Sequence, residues 1–306
     1  MDLIQIDVAV PNYNSPFLAS TLDSILNQES GPFTLNIYVV DDCSDLGLKT
    51  NVQKSYEAKG IKFFDNKNNL GLVGNFNRCL ELSTNEYLHI LHADDMIASS
   101  FYKRICEKIK INPDLALIAT SSQTFDGTSY IEQRKTDYNK QGIFEHLKFR
   151  NCLVASAVVV KAEIAKQIQF RNYAPHCCDW DMWARITANN PSRYITETLH
   201  TYRVHDSNDT ANYSAVAVLE ADLLLYKTLT ADGIFKASES AKWKAGLVSS
   251  AKYISAKLLV KGKLFQSFKP LLFILRKVGF SYFVKAKLGI ARVLLSKTKS
   301  SLSSTK

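Results

Sequence analysis

The chain has 306 residues, of which 46% are hydrophobic and 22% are charged, so it can bury the core of one large domain with an appendage or of two small domains. No stretch approaches the roughly 18 apolar residues that a transmembrane helix requires, because Arg276 and Lys277 interrupt the most apolar part of the C-terminal region. The composition therefore excludes a chain that crosses a membrane, but not one that lies on its surface.

Charge is distributed unevenly along the chain. Residues 234–306 carry 16 Lys and Arg and one acidic residue, Glu239, for a net charge of +15 within an overall charge of +9. The first 233 residues carry 22 basic and 28 acidic residues, for a net charge of −6. An acidic body followed by a basic region predicts an anionic partner surface, either membrane lipid or nucleic acid.

Cysteine spacing and the N-terminal residues indicate the compartment. The six cysteines show no C-x-x-C spacing, and the adjacent Cys177 and Cys178 have no second ligand pair at zinc-finger spacing. The first residues, MDLIQIDVAV, lack the basic start of a targeting segment. We therefore predict reduced thiols in a cytoplasmic protein whose N-terminal residues form the first strand.

Three predicted strands in the first hundred residues each end in polar side chains. They are VAVPNYN (8–14), IYVVDDCS (37–44) and EYLHILHADD (86–95). Helical patterns follow from Ser15 and at residues 48–59, 73–82, 99–111 and 161–167. Strands that alternate with helices predict an α/β fold with a mainly parallel sheet, whose ligand crevice lies beyond the carboxyl ends of the strands. We therefore expect the three polar ends to converge on one site.

The next part of the chain is less regular. LVASAVVV (153–160) has the pattern of a buried strand, and residues 126–150 have no legible pattern. Residues 171–210 mix aromatic, acidic and His side chains with two prolines, a composition that favours loops over a site.

From residue 211 onwards the pattern is helical. Four residues are predicted to break the helices: Gly233, Gly262, Pro270 and Gly279. We therefore predict two domains, an α/β domain over residues 1–210 and a helical basic region over 211–306 that associates with membranes.

Two carboxylate pairs follow buried strands, Asp41-Asp42 and Asp94-Asp95. Such pairs at neighbouring strand ends repel each other unless a cation or hydrogen-bond donors compensate them. A divalent metal that holds a diphosphate is one explanation, and a helix cap before the helix near Ser99 is the alternative for Asp94-Asp95.

Other residues suit a nucleotide and an acid–base reaction. Tyr13 is either a turn aromatic or a ring that stacks on a base, and Asp41 can accept a hydrogen bond from the imide N–H of uracil or thymine. Asp179 and Asp181 lie among tryptophans, where a desolvated carboxylate suits a general base; the alternative is a helix start with Asp179 as N-cap. His205, next to Arg203, is a surface residue or a metal or diphosphate contact.

The chain resembles the family 2 glycosyltransferases of the GT-A fold over about residues 4–208. The motifs that carry the resemblance are, in order, VAVPNYN, LDSILNQ, IYVVDDCSD, NLGLVGNFNRCLELSTNEYLHILHADD, CDWDMWARI and YRVHDSND. The resemblance implies an inverting transferase that uses a nucleotide-diphosphate sugar, usually with Mg²⁺ or Mn²⁺, and the imide acceptor Asp41 favours UDP or dTDP as its nucleotide. Donor-nucleotide binding is implied for Pro11, Tyr13, Asp41, Gly71 and Asp94. Metal binding is implied for Asp94, Asp95 and His205, and general base catalysis for Asp179.

Two positions depart from the family pattern. His92 stands where the first aspartate of the metal motif is usual, and Cys178 stands where a glutamate usually precedes the base. The C-terminal hundred residues lie outside the resemblance.

The resemblance and the basic region together predict an enzyme at the inner face of a bacterial cell membrane. The acceptor would be a hydroxyl of a lipid-linked or polysaccharide glycan, as in O-antigen or capsule assembly. Lipid is favoured over nucleic acid because the basic region also carries an apolar face, consisting of Phe265, Phe268, Leu271, Leu272 and Leu275. A second, cationic stripe is predicted at Ser281, Lys285, Gly289, Arg292 and Ser296.

Two other functions are compatible with parts of this pattern. One is a catalytically inactive binding or scaffold protein with a basic tail, which the departures at His92 and Cys178 favour. The other is a sugar nucleotidyltransferase, which shares carboxylates at strand ends but requires a Gly-rich loop with Arg or Lys after the first strand. PNYNSPFLAS contains neither feature.

Overall fold

A mixed β-sheet dominates the computed structural model, which describes residues 3–132, 136–206, 208, 213–260 and 262–286. The chain divides into two units. The first consists of Met1–Leu147 and Asn151–Asn208, and the second of Lys148–Arg150 and Asp209–Lys306.

The described residues of the first unit form a nine-stranded sheet. Its strands are β1 (Ile4–Asn12), β2 (Phe33–Asp41), β3 (Lys62–Asp65), β4 (Tyr87–Ile90), β5 (Met96–Ile97), β6 (Leu117–Phe125), β7 (Tyr130–Glu132), β8 (Val158–Lys161) and β9 (Ser192–Arg203). The order is β3-β2-β1-β4-β8-β6-β9-β5, with β7 paired to β6. Pairing is parallel from β3 to β4 and between β6 and β9, whereas β8, β7 and β5 pair antiparallel. The predicted α/β fold is confirmed, and the parallel part of the sheet is the part that carries the three polar strand ends.

Seven helices accompany the sheet in the described part of the first unit, and most of them follow from the apolar periodicity. They are α1 (Leu18–Leu26), α2 (Leu46–Glu57), α3 (Gly71–Leu82), α4 (Phe101–Ile111), α5 (Ile143–Leu147), α6 (Ala162–Ile168) and α7 (Cys178–Asn189). Leu18, Leu22 and Ile25 of α1 join the core that Ile6, Val8 and Val10 of β1 form, together with Phe101 and Ile105 of α4. The opposite face of β1 is buried as well, since Ala9 is fully buried, as expected for a central strand that is covered on both faces.

Two segments differ from the sequence-based expectation. Residues 171–210 were expected to form loops, which is wrong, because α7 and β9 occupy most of that range. The tryptophans there belong to the core, since Trp180 and Trp183 are buried on α7. The segment 153–160 is a strand only from Val158 onwards, because a 3₁₀ helix at Ala155–Ala157 precedes it.

The irregular segment 126–150 contains two short elements, β7 and α5, and Ile143 and Leu147 of α5 are buried. Neither element was predicted, since each is too short to show a period in the sequence.

The second unit is helical. It contains α8 (Ala215–Ala231), a 3₁₀ helix (Ala237–Glu239), α9 (Ser240–Val260), α10 (Leu264–Ser267) and α11 (Lys269–Lys277), and residues 280–286 are helical as well. Tyr226 of α8 stacks on Trp243 of α9 with 5.1 Å between ring centroids. Among the described helices, none combines the length and apolar character that crossing a membrane requires.

The glycine breaks and the proline break are confirmed. Gly233, Gly262 and Gly279 follow the ends of α8, α9 and α11 with φ values of 74°, 72° and 122°, which glycine adopts without a Cβ penalty. Pro270 lies in the first turn of α11, directly after the break between Ser267, which ends α10, and Lys269, which begins α11. Its missing N–H has no helical acceptor to lose there.

The predicted apolar and cationic faces of the tail are only partly visible. Phe265, Phe268 and Leu272 are exposed as expected, but Leu271 is 7% exposed and packs within the unit. Ser281 and Lys285 are exposed, whereas Gly289, Arg292 and Ser296 lie outside the described residues.

Candidate active site

The ends of β1 and β2 form one side of the site. Asn12 and Asp41 are register partners, and the Asn12 Nδ2 group donates to Asp41 Oδ1 at 2.7 Å. The Ser44 backbone N–H donates to Asp41 Oδ2 at 3.0 Å, and Asp41 is only 1% exposed. The carboxylate predicted to read the base is therefore held rigidly at the rim of the sheet.

Tyr13 projects from the loop after β1 and is 58% exposed, while Pro11 is half-buried within the strand. Asn14 follows in a left-handed conformation with φ of 52°. Its N–H donates to Ser44 Oγ at 2.8 Å, and its Oδ1 accepts from the Asp45 N–H at 2.7 Å. These bonds fix the loop, and an open aromatic ring on a fixed loop suits stacking on a planar ligand.

Asp42 is compensated by hydrogen-bond donors. Its carboxylate accepts from the backbone N–H groups of Leu70 at 2.8 Å and Gly71 at 2.9 Å, and from Asn66 Nδ2 at 2.9 Å. Gly71 has φ of 71° and begins α3, so the Asp42 charge lies at a helix N-terminus, where it is stabilising. The sequence left open whether a cation or hydrogen-bond donors compensate this carboxylate, and the structure contains the donors.

The candidate metal site lies after β4. His92, Asp94 and Asp95 each offer a ligand atom, and these three atoms lie within 4.8 Å of one another. His205 Nε2 is 3.0 Å from Asp94 Oδ2, so the loop after β9 closes on the same carboxylate. The side chain of Asp94 is 24% exposed, which leaves it accessible to a ligand.

Asp95 is held from inside the protein. Its Oδ1 accepts from the Arg203 N–H at 2.9 Å, and its Oδ2 accepts from the Ser156 hydroxyl. His200 Nε2 lies 3.3 Å from the same Oδ2, and both residues are fully buried. Burial alone would raise the pKa of Asp95, but the hydrogen bond and charge of His200, with smaller contributions from His92 and Ser156, lower it overall. Asp95 does not cap a helix, since Ser100 occupies the N-cap of α4.

Asn208 and Arg203 hold the Asp94 loop in place. Asn208 accepts from the His205 N–H at 2.7 Å and donates from Nδ2 to Asp94 Oδ2 at 3.3 Å. Arg203 Nε donates to the Asp94 carbonyl at 2.9 Å, and its guanidinium lies over the ring of Phe17 at 4.6 Å. Arg203 and His205 were considered from the sequence, but Asn208 was not, although it belongs to the same motif.

Asp179 stands in the first turn of α7 and is half-buried. Asn151 Nδ2 donates to its Oδ2 at 2.7 Å. Desolvation raises the pKa of Asp179 above its ordinary value, although the Asn151 bond, the Trp180 N–H and the nearby His92 and His176 oppose the increase. A carboxylate with a raised pKa is a better proton acceptor near neutral pH. Sequence reasoning missed Asn151, because nothing in the local pattern connects it with a helix 28 residues away.

Asp181 has a different environment from Asp179. It is 1% exposed, accepts from the Tyr173 hydroxyl at 2.7 Å and from Arg185 Nε at 2.8 Å. Arg185 in turn donates to two backbone carbonyls at the end of α6. The N-cap of α7 is Cys177, so the alternative in which Asp179 caps this helix is wrong.

Comparisons with known proteins agree with this geometry. The family model described as "Glycosyl transferase family 2" matches residues 7–167. The uncharacterized glycosyltransferase MJ1057 of Methanocaldococcus jannaschii is 26% identical over 211 residues, which are 67% of this chain and 72% of that protein.

Two solved structures share the fold. The S. aureus TarS 1-349 complex with UDP-GlcNAc has a TM-score of 0.61 at 16% identity, with 94% of this chain and 92% of that chain covered. The mannosyltransferase PcManGT of Pyrobaculum calidifontis, solved with GDP-Man and Mn²⁺, has a TM-score of 0.61 at 16% identity, covering 94% and 80%. The fold is therefore GT-A-like, and the chain belongs to glycosyl transferase family 2 and is a glycosyltransferase.

Proposed function

We propose that this chain transfers a sugar, with inversion, from a nucleotide-diphosphate sugar to an acceptor hydroxyl, with Asp179 as the general base. One observation carries the proposal. His92 belongs to the candidate metal cluster with Asp94 and Asp95. Ring contacts connect it to α7, the helix that carries Asp179: His92 lies 5.4 Å from Phe76, Phe76 5.3 Å from Phe170, and Phe170 6.0 Å from Trp183 of α7. A proton acceptor and a candidate diphosphate site thus share one neighbourhood.

The base acts on the acceptor. Asp179 takes the proton from the acceptor hydroxyl as the oxygen attacks the anomeric carbon, and the bond from that carbon to the diphosphate oxygen breaks. Asn151 holds Oδ2 of Asp179 and thereby orients the carboxylate. Desolvation raises the pKa of Asp179, which makes the carboxylate a better proton acceptor.

A divalent cation suits the donor atoms present. The cluster of His92, Asp94 and Asp95 combines an imidazole with two carboxylates, and His205 adjoins Asp94. Asp94 is the accessible carboxylate, with Asp95 behind it and His205 beside it. When bound, Mg²⁺ or Mn²⁺ supplies positive charge that stabilises the departing nucleotide diphosphate. The PcManGT complex, which contains Mn²⁺, supports this assignment by likeness of fold.

The donor base stacks on Tyr13, with Asp41 as the acceptor for an imide N–H and with Pro11 and Gly71 as further donor-binding residues. This arrangement favours UDP or dTDP, and the TarS complex with UDP-GlcNAc supports the proposal by likeness. PcManGT was solved with a guanosine donor, GDP-Man, so UDP-, dTDP- and GDP-sugars are compared directly below.

Cys43 offers a direct test of donor binding. It is exposed, whereas the other five cysteines are buried or half-buried, and it lies between Asp42 and Ser44 at the predicted base site. UDP- and dTDP-sugars with Mn²⁺ should slow the alkylation of Cys43 and raise the melting temperature, and GDP-sugars should do neither. Protection by GDP-sugars alone would contradict the proposed base.

The two alternative functions predict different products. A nucleotidyltransferase releases pyrophosphate from a nucleoside triphosphate and a sugar 1-phosphate, and an inactive scaffold releases nothing. We expect slow release of UDP or dTDP from the donor with water as acceptor, and no pyrophosphate. Donor binding without any release in wild-type protein, even with candidate acceptors, would favour the scaffold.

We further propose that the second unit holds the enzyme on an anionic membrane at the cytoplasmic face, near a lipid-linked or glycan acceptor. Phe265 is 88% exposed, Phe280 70% and Phe268 51%. The exposed cations Lys263, Lys269, Arg276 and Lys277 lie in the same segment. Exposed aromatic rings beside cations suit a lipid interface better than a nucleic acid backbone.

A further inference from the structure

His92 is the metal-site residue in which this chain differs from its family. Its ring stacks on buried Phe76, with centroids 5.4 Å apart and planes 23° apart. The stack restricts the ring, and its ligand nitrogen lies within 4.8 Å of the ligand oxygens of Asp94 and Asp95. The imidazole is therefore placed to contribute a bond to any ion in this cluster.

The two carboxylates of the cluster are not equally available to a metal ion. Both oxygens of Asp95 already accept hydrogen bonds from within the protein, and this side chain is fully buried. Asp94 and His92 are the partly accessible members. A nitrogen donor thus makes up a large share of the accessible ligand set, and the site carries one negative charge fewer than a set of three aspartates.

We propose that His92 biases this site towards a first-row transition-metal ion such as Mn²⁺ and against Mg²⁺, a property that rests on the metal site of the proposed function. Mg²⁺ is a hard cation that takes oxygen ligands and releases its waters reluctantly, so an imidazole is a poor substitute for a carboxylate. Transition-metal ions accept imidazole readily. The loss of one negative charge weakens the binding of both ions, but the bond from the imidazole nitrogen restores affinity only for the transition-metal ion.

The test compares metal binding by the full chain with Mn²⁺ and Mg²⁺ alone. Free Mn²⁺ is followed by electron paramagnetic resonance, and Mg²⁺ binding is measured by competition. Wild-type protein should prefer Mn²⁺, and His92→Asp should reduce the ratio of the Mg²⁺ to the Mn²⁺ dissociation constant by about tenfold or more. Pulsed resonance of bound Mn²⁺ should show a ¹⁴N coupling that His92→Asp weakens.

Two further variants make the result decisive. His92→Asn, which has a similar volume and no imidazole, should lose Mn²⁺ affinity and the ¹⁴N coupling if His92→Asp fails to fold. His146→Gln replaces a histidine that contacts Tyr138, and it should change neither the Mn²⁺ affinity nor the ¹⁴N coupling.

An unchanged metal ratio and an unchanged ¹⁴N coupling in both His92 variants would overturn the inference. In that case Asp94→Asn tells the two proposals apart. Loss of Mn²⁺ binding in Asp94→Asn would leave the proposed metal site standing, and Mn²⁺ binding that is indifferent to Asp94 would reject the site itself.

Discussion

Asp179 and Asp181 stand two residues apart on α7, but their surroundings give them different tasks. Asp181 is committed to Arg185 and Tyr173 inside the protein. Asp179 is half-buried and is held by an amide, which is neutral. The sequence allowed either residue to be the base, and the contacts favour Asp179.

Asp179→Asn keeps the side-chain size and removes the proton acceptor. We expect the transfer rate to fall by about 10²–10⁴-fold, with donor binding nearly unchanged, because general base catalysis contributes that much. Steady-state kinetics and calorimetry measure the two quantities. Asp181→Asn is the matched control, and it should lower the free energy of unfolding by about 3–5 kcal/mol because it leaves Arg185 buried without its carboxylate. An active Asp179→Asn enzyme would exclude this residue as the base.

The hydrogen bond from Asn151 to Asp179 should affect how activity depends on pH. Asp179 must be ionised to accept a proton, so activity should rise as the pH increases through its pKa, which burial raises. The Asn151 bond opposes that increase, so Asn151→Ala should move the acidic limb of the kcat/KM profile to higher pH. Asn77→Ala removes a similar amide that bonds Phe170 instead and should leave the limb in place. A limb unmoved by Asn151→Ala would show that Asn151 does not act on the base.

Which residues of the site were predictable depends on the range of their contacts. Asp94 and His205 carry their chemistry in their own side chains, and a resemblance to a motif is enough to single them out. His200, Ser156 and Asn151 matter through partners that are tens of residues away, such as Asp95 for Ser156. Only the folded chain brings such pairs together, so no local pattern reveals them.

At the scale of elements, the first half of the sheet was predictable because its strands alternate with amphipathic helices. The region of α7 and β9 was not, since its polar and aromatic residues mimic a loop over a site. The two buried charged residues of α7, Asp181 and Arg185, pair with each other, and this pairing allows a polar sequence to form a buried helix.

Helix α8 contains an acidic residue in an unfavourable position. Asp222 is 7% exposed, and desolvation raises the pKa of its carboxyl to about 7. An acid with a raised pKa stabilises the folded state fully below its ordinary pKa of 3.8, and this contribution is lost as the pH rises through about 7.

Asp222→Asn should therefore flatten the pH dependence of stability. At pH 8 the free energy of unfolding should increase by about 1–4 kcal/mol, since one pKa unit corresponds to about 1.4 kcal/mol. Denaturant titrations at pH 5 and pH 8 measure the difference. Glu220→Gln changes an exposed acid of the same helix and should behave like wild type. If the free energy of unfolding of Asp222→Asn still depends on pH as in wild type, a group other than Asp222 is responsible.

At the scale of the whole molecule, the acidic first part and the basic tail predict a salt-sensitive association with membranes. Each Lys or Arg near an anionic leaflet contributes about 1 kcal/mol, and salt screens the attraction. We expect the intact chain to sediment with vesicles that contain anionic lipid at low salt.

The exposed rings should contribute to that binding. Phe265→Ser with Phe268→Ser should reduce sedimentation with the vesicles, and a chain truncated at Gly262 should lose it while donor affinity is kept. Ile111→Ser removes a side chain in the first unit that is 79% exposed, and it should have no effect. Equal vesicle binding by the truncated and intact chains would exclude the tail as the anchor.

The central claim is that a nucleotide diphosphate binds through a divalent cation held at Asp94. Calorimetric titration of UDP and dTDP into the full chain with Mn²⁺ tests it most directly, with EDTA, Asp94→Ala and Asp179→Asn as comparisons. We predict that binding is lost with EDTA and in Asp94→Ala, and that it is retained in Asp179→Asn. Equally tight binding with EDTA and in Asp94→Ala would contradict the claim.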